Sequence, residues 1–180
     1  MAEYVNNESV YKSICRWKQQ CRESGEIVKQ NDQIGMAIMK IANGLSKYYK
    51  FSRYTPSWKE EMVSDAIEAS VKGLINFDET KYNNPHAYIT MMCYNAFIQR
   101  IKFEKKEQAK KYNFFLEAIY TDDDDDLVSM ASPEFISDLY SKLEQFETKK
   151  EKEPKPVKDS SHFGLDFLDN LEEIEIEMEL

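Results

Sequence analysis

The sequence has few chain punctuators: five glycines and five prolines in 180 residues. That scarcity argues against a turn-rich all-β fold. No apolar run approaches the roughly 20 residues a membrane span needs. The N-terminal stretch is polar and has no apolar signal segment, which predicts a cytosolic protein. The cysteines are Cys15, Cys21 and Cys93, and the histidines are only His86 and His162. An odd cysteine count without a secretion signal predicts reduced thiols. The same scarcity predicts no structural zinc site, because no two pairs stand at zinc-site spacing. Gly164 has no Gly-Lys-Ser/Thr pattern around it, so no nucleotide loop is present. Two histidines supply no convincing Ser-His-Asp set. The expectation is a protein that is not an enzyme and uses no cofactor and no metal.

Charge is plentiful and unevenly spread. Hydrophobic residues make up 42% and charged residues 32%, with a net charge of -9. Residues 1–120 hold 18 Lys and Arg against 14 Asp and Glu, a balance of +4. Residues 121–180 hold 6 against 19, a balance of -13. A mildly basic body with an acidic tail is compatible with nucleic-acid binding, and equally with two ordinary soluble surfaces.

Periodicity predicts helices throughout. Val10, Ile14, Trp17 and Cys21 mark a helix over Glu8–Glu23, ended by Ser24-Gly25. Ile34, Ile38, Ile41 and Leu45 mark a second from Asp32 to Lys50, capped by Asn31 and Asp32. Its Gly35 and Gly44 weaken it and leave open a close helix approach. Phe51 to Pro56 reads as a loop. Ser57, with Glu60 three residues on, predicts a capping box for a third helix reaching Asn76. Its apolar stripe includes Trp58, Met62, Ala66, Ile67, Val71, Leu74 and Ile75. Glu60, Glu61, Ser64, Asp65 and Glu68 form its polar face, either solvated or a dock for a basic partner helix.

Asn84 then caps, and Pro85 opens, a fourth helix. Ile89, Cys93, Phe97 and Ile101 recur at i, i+4 and define its core face, broadened by Met92 and Ala96. The helix turns basic at Arg100, Lys102, Lys105 and Lys106 and extends toward Tyr120. Asp122–Asp126 reads as a solvated loop, since five adjacent carboxylates repel one another and seldom converge on one ion. A further helix spans Pro133–Phe146. Residues 148–162 form a charged, proline-containing linker that cannot bury a core. Residues 163–180 carry a compact apolar cluster, then alternating Glu and apolar residues. This tail either docks into a partner's groove or packs back on the body. The organisation is thus an N-terminal helix (1–30), a helical core (31–120), an acidic loop with an extra helix (121–147), a linker and a tail.

The stretch EEMVSDAIEASVKGLINFDETKYNNPHAYITMMCYNAFIQRIK, from Glu60 to Lys102, resembles conserved region 2 of the sigma-70 family of transcription initiation factors. In that family an acidic helix leads to Phe-Asp, a polar loop, a Tyr, two aromatics, an amide and basic residues. Phe77-Asp78, Tyr88 and Asn95-Ala96 fall on the matching positions. With NDQIGMAIMKIANGLSKYYKFSRYTPSWKEEM and a terminal LDFL, the chain is most similar to the late-transcription branch found in T-even bacteriophages.

The resemblance implies an all-α, sigma region 2-like domain with a flexible acidic C-terminal tail. It implies binding to the host RNA polymerase core, through the clamp helices of the β′ subunit, in the cytoplasm of an infected bacterium. Glu60, Glu61, Ser64, Asp65 and Glu68 are the polymerase-facing candidates. It implies recognition and opening of an AT-rich promoter element. Aromatic stacking of an unstacked base contributes about 1–3 kcal/mol, and the candidates are Tyr82, Tyr88 and Tyr94, with Met91 and Met92 as apolar wedges. Asn95 has the two hydrogen bonds an adenine edge requires. Arg100, Lys102, Lys105 and Lys106 are the phosphate contacts. The resemblance further implies that Leu165, Asp166, Phe167 and Leu168 engage the replication sliding clamp, with a phage late co-activator as another partner and no membrane.

The chain departs from primary sigma factors in having Met91-Met92 where they carry two tryptophans, and Asn83 and Pro85 where their loop is aromatic. Weak promoter opening that leans on the sliding clamp is expected. No second basic recognition helix follows, so promoter choice is expected to rest on one short element. Two other readings compete: a clamp-tethered co-activator that binds polymerase without reading DNA, and a metal-dependent enzyme built on Asp122–Asp126.

Overall fold

A computed structural model of the chain describes residues 5–121 and 132–151. Every regular element among them is helical, and the fold is all-α. The helices are α1 (Asn7–Ser24), α2 (Asp32–Leu45), α3 (Tyr49–Ser52), α4 (Pro56–Gly73), α5 (Pro85–Thr121) and α6 (Pro133–Glu151). A 3-10 turn, Leu74–Asn76, closes α4. Among the described residues no helix is long and apolar enough to cross a membrane. The chain divides into two compact units, with the break between Arg100 and Ile101 inside α5.

The first unit is built on the stripes that periodicity marks. Helix α1 starts where the Asn6 side chain accepts the Ser9 amide at 3.0 Å. It stops at Gly25, whose φ of +73° suits a residue without Cβ and whose N–H reaches the Cys21 carbonyl. Val10, Ile14 and Trp17 are buried. The Trp17 indole N–H donates to the Val28 carbonyl at 2.7 Å, which turns the α1–α2 connection back on the helix. Asn31 caps α2 through the Ile34 amide. Gln30 on the same connection donates to the Val71 carbonyl at the end of α4.

Helix α2 ends at Leu45, five residues before the expected end. Ser46 and Lys47 form a turn, Tyr48 is extended (ψ 144°), and the single turn α3 follows. Burial explains the break. Phe51 on α3 is 1% exposed and packs edge-on to Phe97 of α5, with centroids 5.0 Å apart. An uninterrupted helix would rotate Phe51 to another face. Lys59 of α4 donates to the Ser52 carbonyl and ties the corner down.

The cap of α4 also differs from expectation. Thr55, not Ser57, is the N-cap, and its hydroxyl accepts the Trp58 amide. Pro56 occupies the first turn, where its missing N–H costs nothing. Ser57 lies inside the helix. Met62, Ala66 and Leu74 are buried as expected, whereas Val71 is exposed and Trp58 half-buried, stacked on Tyr54 at 5.6 Å. Gly35 and Gly44 permit no close approach: an added Cβ meets nothing within 4 Å. Gly73 does permit one, since its Cβ would lie 2.7 Å from the Met92 sulfur.

In the second unit, α5 continues from Ile101 to Thr121, beyond the Tyr120 limit by one residue. Ser132 caps α6 through the Phe135 amide. Leu116, Ile119 and Leu139 are buried, and Phe115 meets Phe135 edge-to-face at 5.6 Å. Helix α6 runs to Glu151, five residues past Phe146 and into the segment expected to be linker. Asp122–Asp126 and the 163–180 tail, including Leu165–Leu168, lie outside the described residues.

Candidate nucleic-acid interface

The elbow of residues 77–84 is fixed from below by α1. Phe77 is 1% exposed and anchors the turn. Lys18 of α1 donates to the Phe77 carbonyl, and Lys18 and Arg22 both pair with the Glu79 carboxylate at 2.6 Å. Tyr11 donates its hydroxyl to the Glu79 carbonyl at 2.9 Å. Asn7 accepts the His86 amide at 3.1 Å, which secures the far end of the loop. Burial opposes the Glu79 charge, yet Lys18 and Arg22 hold its carboxyl down at about 2. Asp78 folds the turn locally. Its carboxylate accepts from the Thr80 hydroxyl and amide, with Lys81 nearby, and these hold it down to about 2. These α1 residues were not legible as site-forming, because their partners lie 57 to 79 positions away and no local pattern announces them.

Helix α5 leaves the elbow with Asn84 as its cap, accepting the Ala87 amide at 3.1 Å. Ile89, Cys93, Phe97 and Ile101 are all buried. Cys93 contacts the Ser70 hydroxyl; burial pushes its thiol up, against that contact. The remaining α5 residues sort into three groups.

Tyr82 on the elbow and Asn95 on the helix are exposed, Tyr82 at 39%. Tyr88, Met91 and Met92 are half-buried. The Tyr88 ring packs on Phe77 at 5.2 Å, and its hydroxyl donates to the Gly73 carbonyl at 3.3 Å. Burial raises the Tyr88 phenol. Tyr88 therefore offers part of a ring face while helping to seat the elbow.

Tyr94 and Arg100 take different positions from those expected of an open binding face. Tyr94 is 6% exposed, because α3 covers its side of the helix and Phe51 meets its ring edge-on at 5.7 Å. Burial, with Tyr49 nearby, raises its phenol. A stacking role for Tyr94 would require that cover to move. Arg100 holds Asp65 through Nε at 2.7 Å and Nη2 at 3.0 Å, and Glu61 through Nη2 at 2.9 Å. Its guanidinium fork is occupied by carboxylates rather than presented for phosphate. Lys102 and Lys106 are exposed on the second unit and Lys105 is half-buried.

The same clasp divides the acidic face of α4. Glu61 and Asp65 are spent on Arg100, and Glu68 pairs with Lys72 one turn on. Glu60 and Ser64 are exposed. A shallow groove of about 290 Å³ runs between α4 and α5, lined by Asp65, Glu68, Ala69, Lys72, Ala96 and Gln99. Among the described residues no three His, Cys, Asp or Glu side chains gather to hold a metal ion. No protein-family model and no curated protein matches the chain.

Proposed function

We propose that the chain is a sigma-type promoter-recognition subunit of phage late transcription. It binds the host RNA polymerase core and reads a short AT-rich element of promoter DNA. The observation that carries this reading is the α4–elbow–α5 assembly. An elbow braced at Phe77, Glu79 and His86 presents Tyr82 and leads into a capped helix that presents Asn95. An amide on a rigid helix has the donor and acceptor that an adenine edge matches. Tyr82 and the open part of Tyr88 are the aromatic surfaces for an unstacked base. Lys102, Lys105 and Lys106 follow on the same helix as phosphate contacts. Glu60, Ser64 and Glu68 form the outward part of the polymerase-facing helix, with Glu61 and Asp65 bracing it to α5. Leu165, Asp166, Phe167 and Leu168 dock on the replication sliding clamp, where a late co-activator also acts.

One observation favours a second reading, a clamp-tethered co-activator that binds polymerase without reading DNA. Burial of Tyr94 and the clasp on Arg100 remove two DNA contacts from the expected set. Charge reversal at Lys102 and Lys105 separates the two. Promoter binding by the polymerase complex is lost under the first reading and unchanged under the second. A pull-down of host core polymerase with each variant checks that core binding survives.

A further inference from the structure

We infer that the corner between α2 and α4 is a second nucleic-acid surface, one that grips a single strand through Tyr49, Lys47, Lys50 and Arg53. Its composition is unusual for this acidic chain. From Gln33 to Lys59 there is no Asp or Glu, while Lys40, Lys47, Lys50, Arg53 and Lys59 give the stretch five positive charges. The fold concentrates that charge around aromatic rings. Tyr49 is 66% exposed on the one-turn α3, its ring 4.5 Å from that of Tyr48. The Lys50 ammonium lies 6.0 Å from the Tyr49 ring centroid. Lys47 and Arg53 stand two residues before and four after Tyr49 and are exposed, and among the described residues no carboxylate pairs with either.

Several features make this corner a built surface and not a stray tyrosine. Phe51 is locked beneath it against Tyr94 and Phe97. Half-buried Tyr48 is 6.5 Å from Phe51 and links exposed Tyr49 to that buried ring. Lys59 fixes the far end through the Ser52 carbonyl. A large ring held open by the backbone costs little further ordering when it binds. An exposed tyrosine with Lys47 and Arg53, which pair with no carboxylate among the described residues, suits stacked bases and phosphates, since every base has a π-face and every linkage a charge. An acidic protein partner would satisfy the cations but gives no reason for the open ring. The junction with α5 through Phe51 places this corner beside Tyr94, on the unit that carries Asn95. A role in promoter opening rests on the proposed function; affinity of the corner for a single strand does not.

The test is fluorescence anisotropy of the full chain with a short labelled oligothymidylate at low salt. Tyr49→Ala is expected to weaken binding about tenfold, while Tyr49→Phe keeps it. The double reversal Lys47→Glu with Arg53→Glu should weaken binding at least as much as Tyr49→Ala and lower its salt dependence. All these positions are exposed, so thermal melting should be unchanged. Asn95→Ala reports on α5, and Gln20→Ala, exposed on α1, is the control that should leave oligothymidylate binding intact. Wild-type affinity in both the Tyr49→Ala and the double-reversal proteins overturns the inference, as does failure of the wild-type chain to bind. If Asn95→Ala alone weakens binding, the strand is held by α5: the corner loses its role and the promoter reading stands. If the double reversal loses core polymerase but keeps the oligonucleotide, the corner is a protein contact and the inference is wrong.

Discussion

At the scale of single residues, Glu79 carries the most testable electrostatics. Its side chain is 11% exposed between Lys18 and Arg22. The folded carboxyl sits at about 2, below its ordinary value of 4.5. A depressed folded value means the unfolded chain binds the proton first. The stabilisation is therefore complete above about pH 4.5 and disappears as pH falls toward 2. Glu79→Gln should cost about 1.5–3 kcal/mol at neutral pH, the range for hydrogen bonds to charged groups. It should also remove the corresponding acid-dependent part of the denaturation midpoint, measured by urea titration at several pH values. Tyr94 gives a second prediction. If it is a core ring, Tyr94→Ala destabilises the protein by about 3 kcal/mol or more, as large aromatic truncations do. Its effect on promoter opening is then inseparable from unfolding. Tyr88→Ala, only half-buried, should lower permanganate reactivity of the promoter at temperatures where the variant remains folded. Unchanged reactivity would remove Tyr88 from the opening surface.

At the scale of elements, the α4 start decides between two caps. Thr55→Ala should cost about 1 kcal/mol and Ser57→Ala much less, because only Thr55 accepts a backbone amide. Thermal melting of the two variants checks this. The contrast shows what the sequence makes legible. TPSWKE puts Ser57 three residues before Glu60, and that pattern favours the capping box. Proline at the first helical position settles it physically, since Pro56 fixes φ where the helix begins. The i, i+4 stripe of α5 was readable, because Ile89, Cys93, Phe97 and Ile101 follow the helical period, although Met92, expected to broaden it, is only half-buried. Tyr94 was not, because its burial depends on Phe51, 43 positions earlier. Arg100 reads as a phosphate contact in a basic run, and only the arrival of α4 beside it reveals Asp65 and Glu61. The α2–α4 corner was also missed: periodicity carried α2 through to Lys50, although an acid-free run from Gln33 to Lys59 was there to be counted.

At the scale of the whole molecule, charge separates the functions. Under the proposed function, the -13 remainder would limit indiscriminate DNA binding by the +4 body. Deleting residues 148–180 should raise non-specific DNA affinity at low salt, read by filter binding; an unchanged affinity would show that the tail does not screen the body. Replacing Leu165, Phe167 and Leu168 by Ala should abolish stimulation by the sliding clamp and leave basal initiation, since each apolar side chain contributes roughly 1.5–3 kcal/mol when buried. Met91 and Met92 are half-buried, Met92 beside Gly73; under the proposed function, methionines there in place of aromatic rings should favour recognising a promoter over opening it. The most direct test of the central claim is transcription by host core polymerase on supercoiled and linear AT-rich templates, with wild-type chain and with Asn95→Ala. The account predicts promoter-specific starts with the wild type, stronger on the supercoiled template, and loss of those starts with Asn95→Ala despite intact core binding. Equal start-site selection by both proteins, or core binding without any specific start, would contradict it.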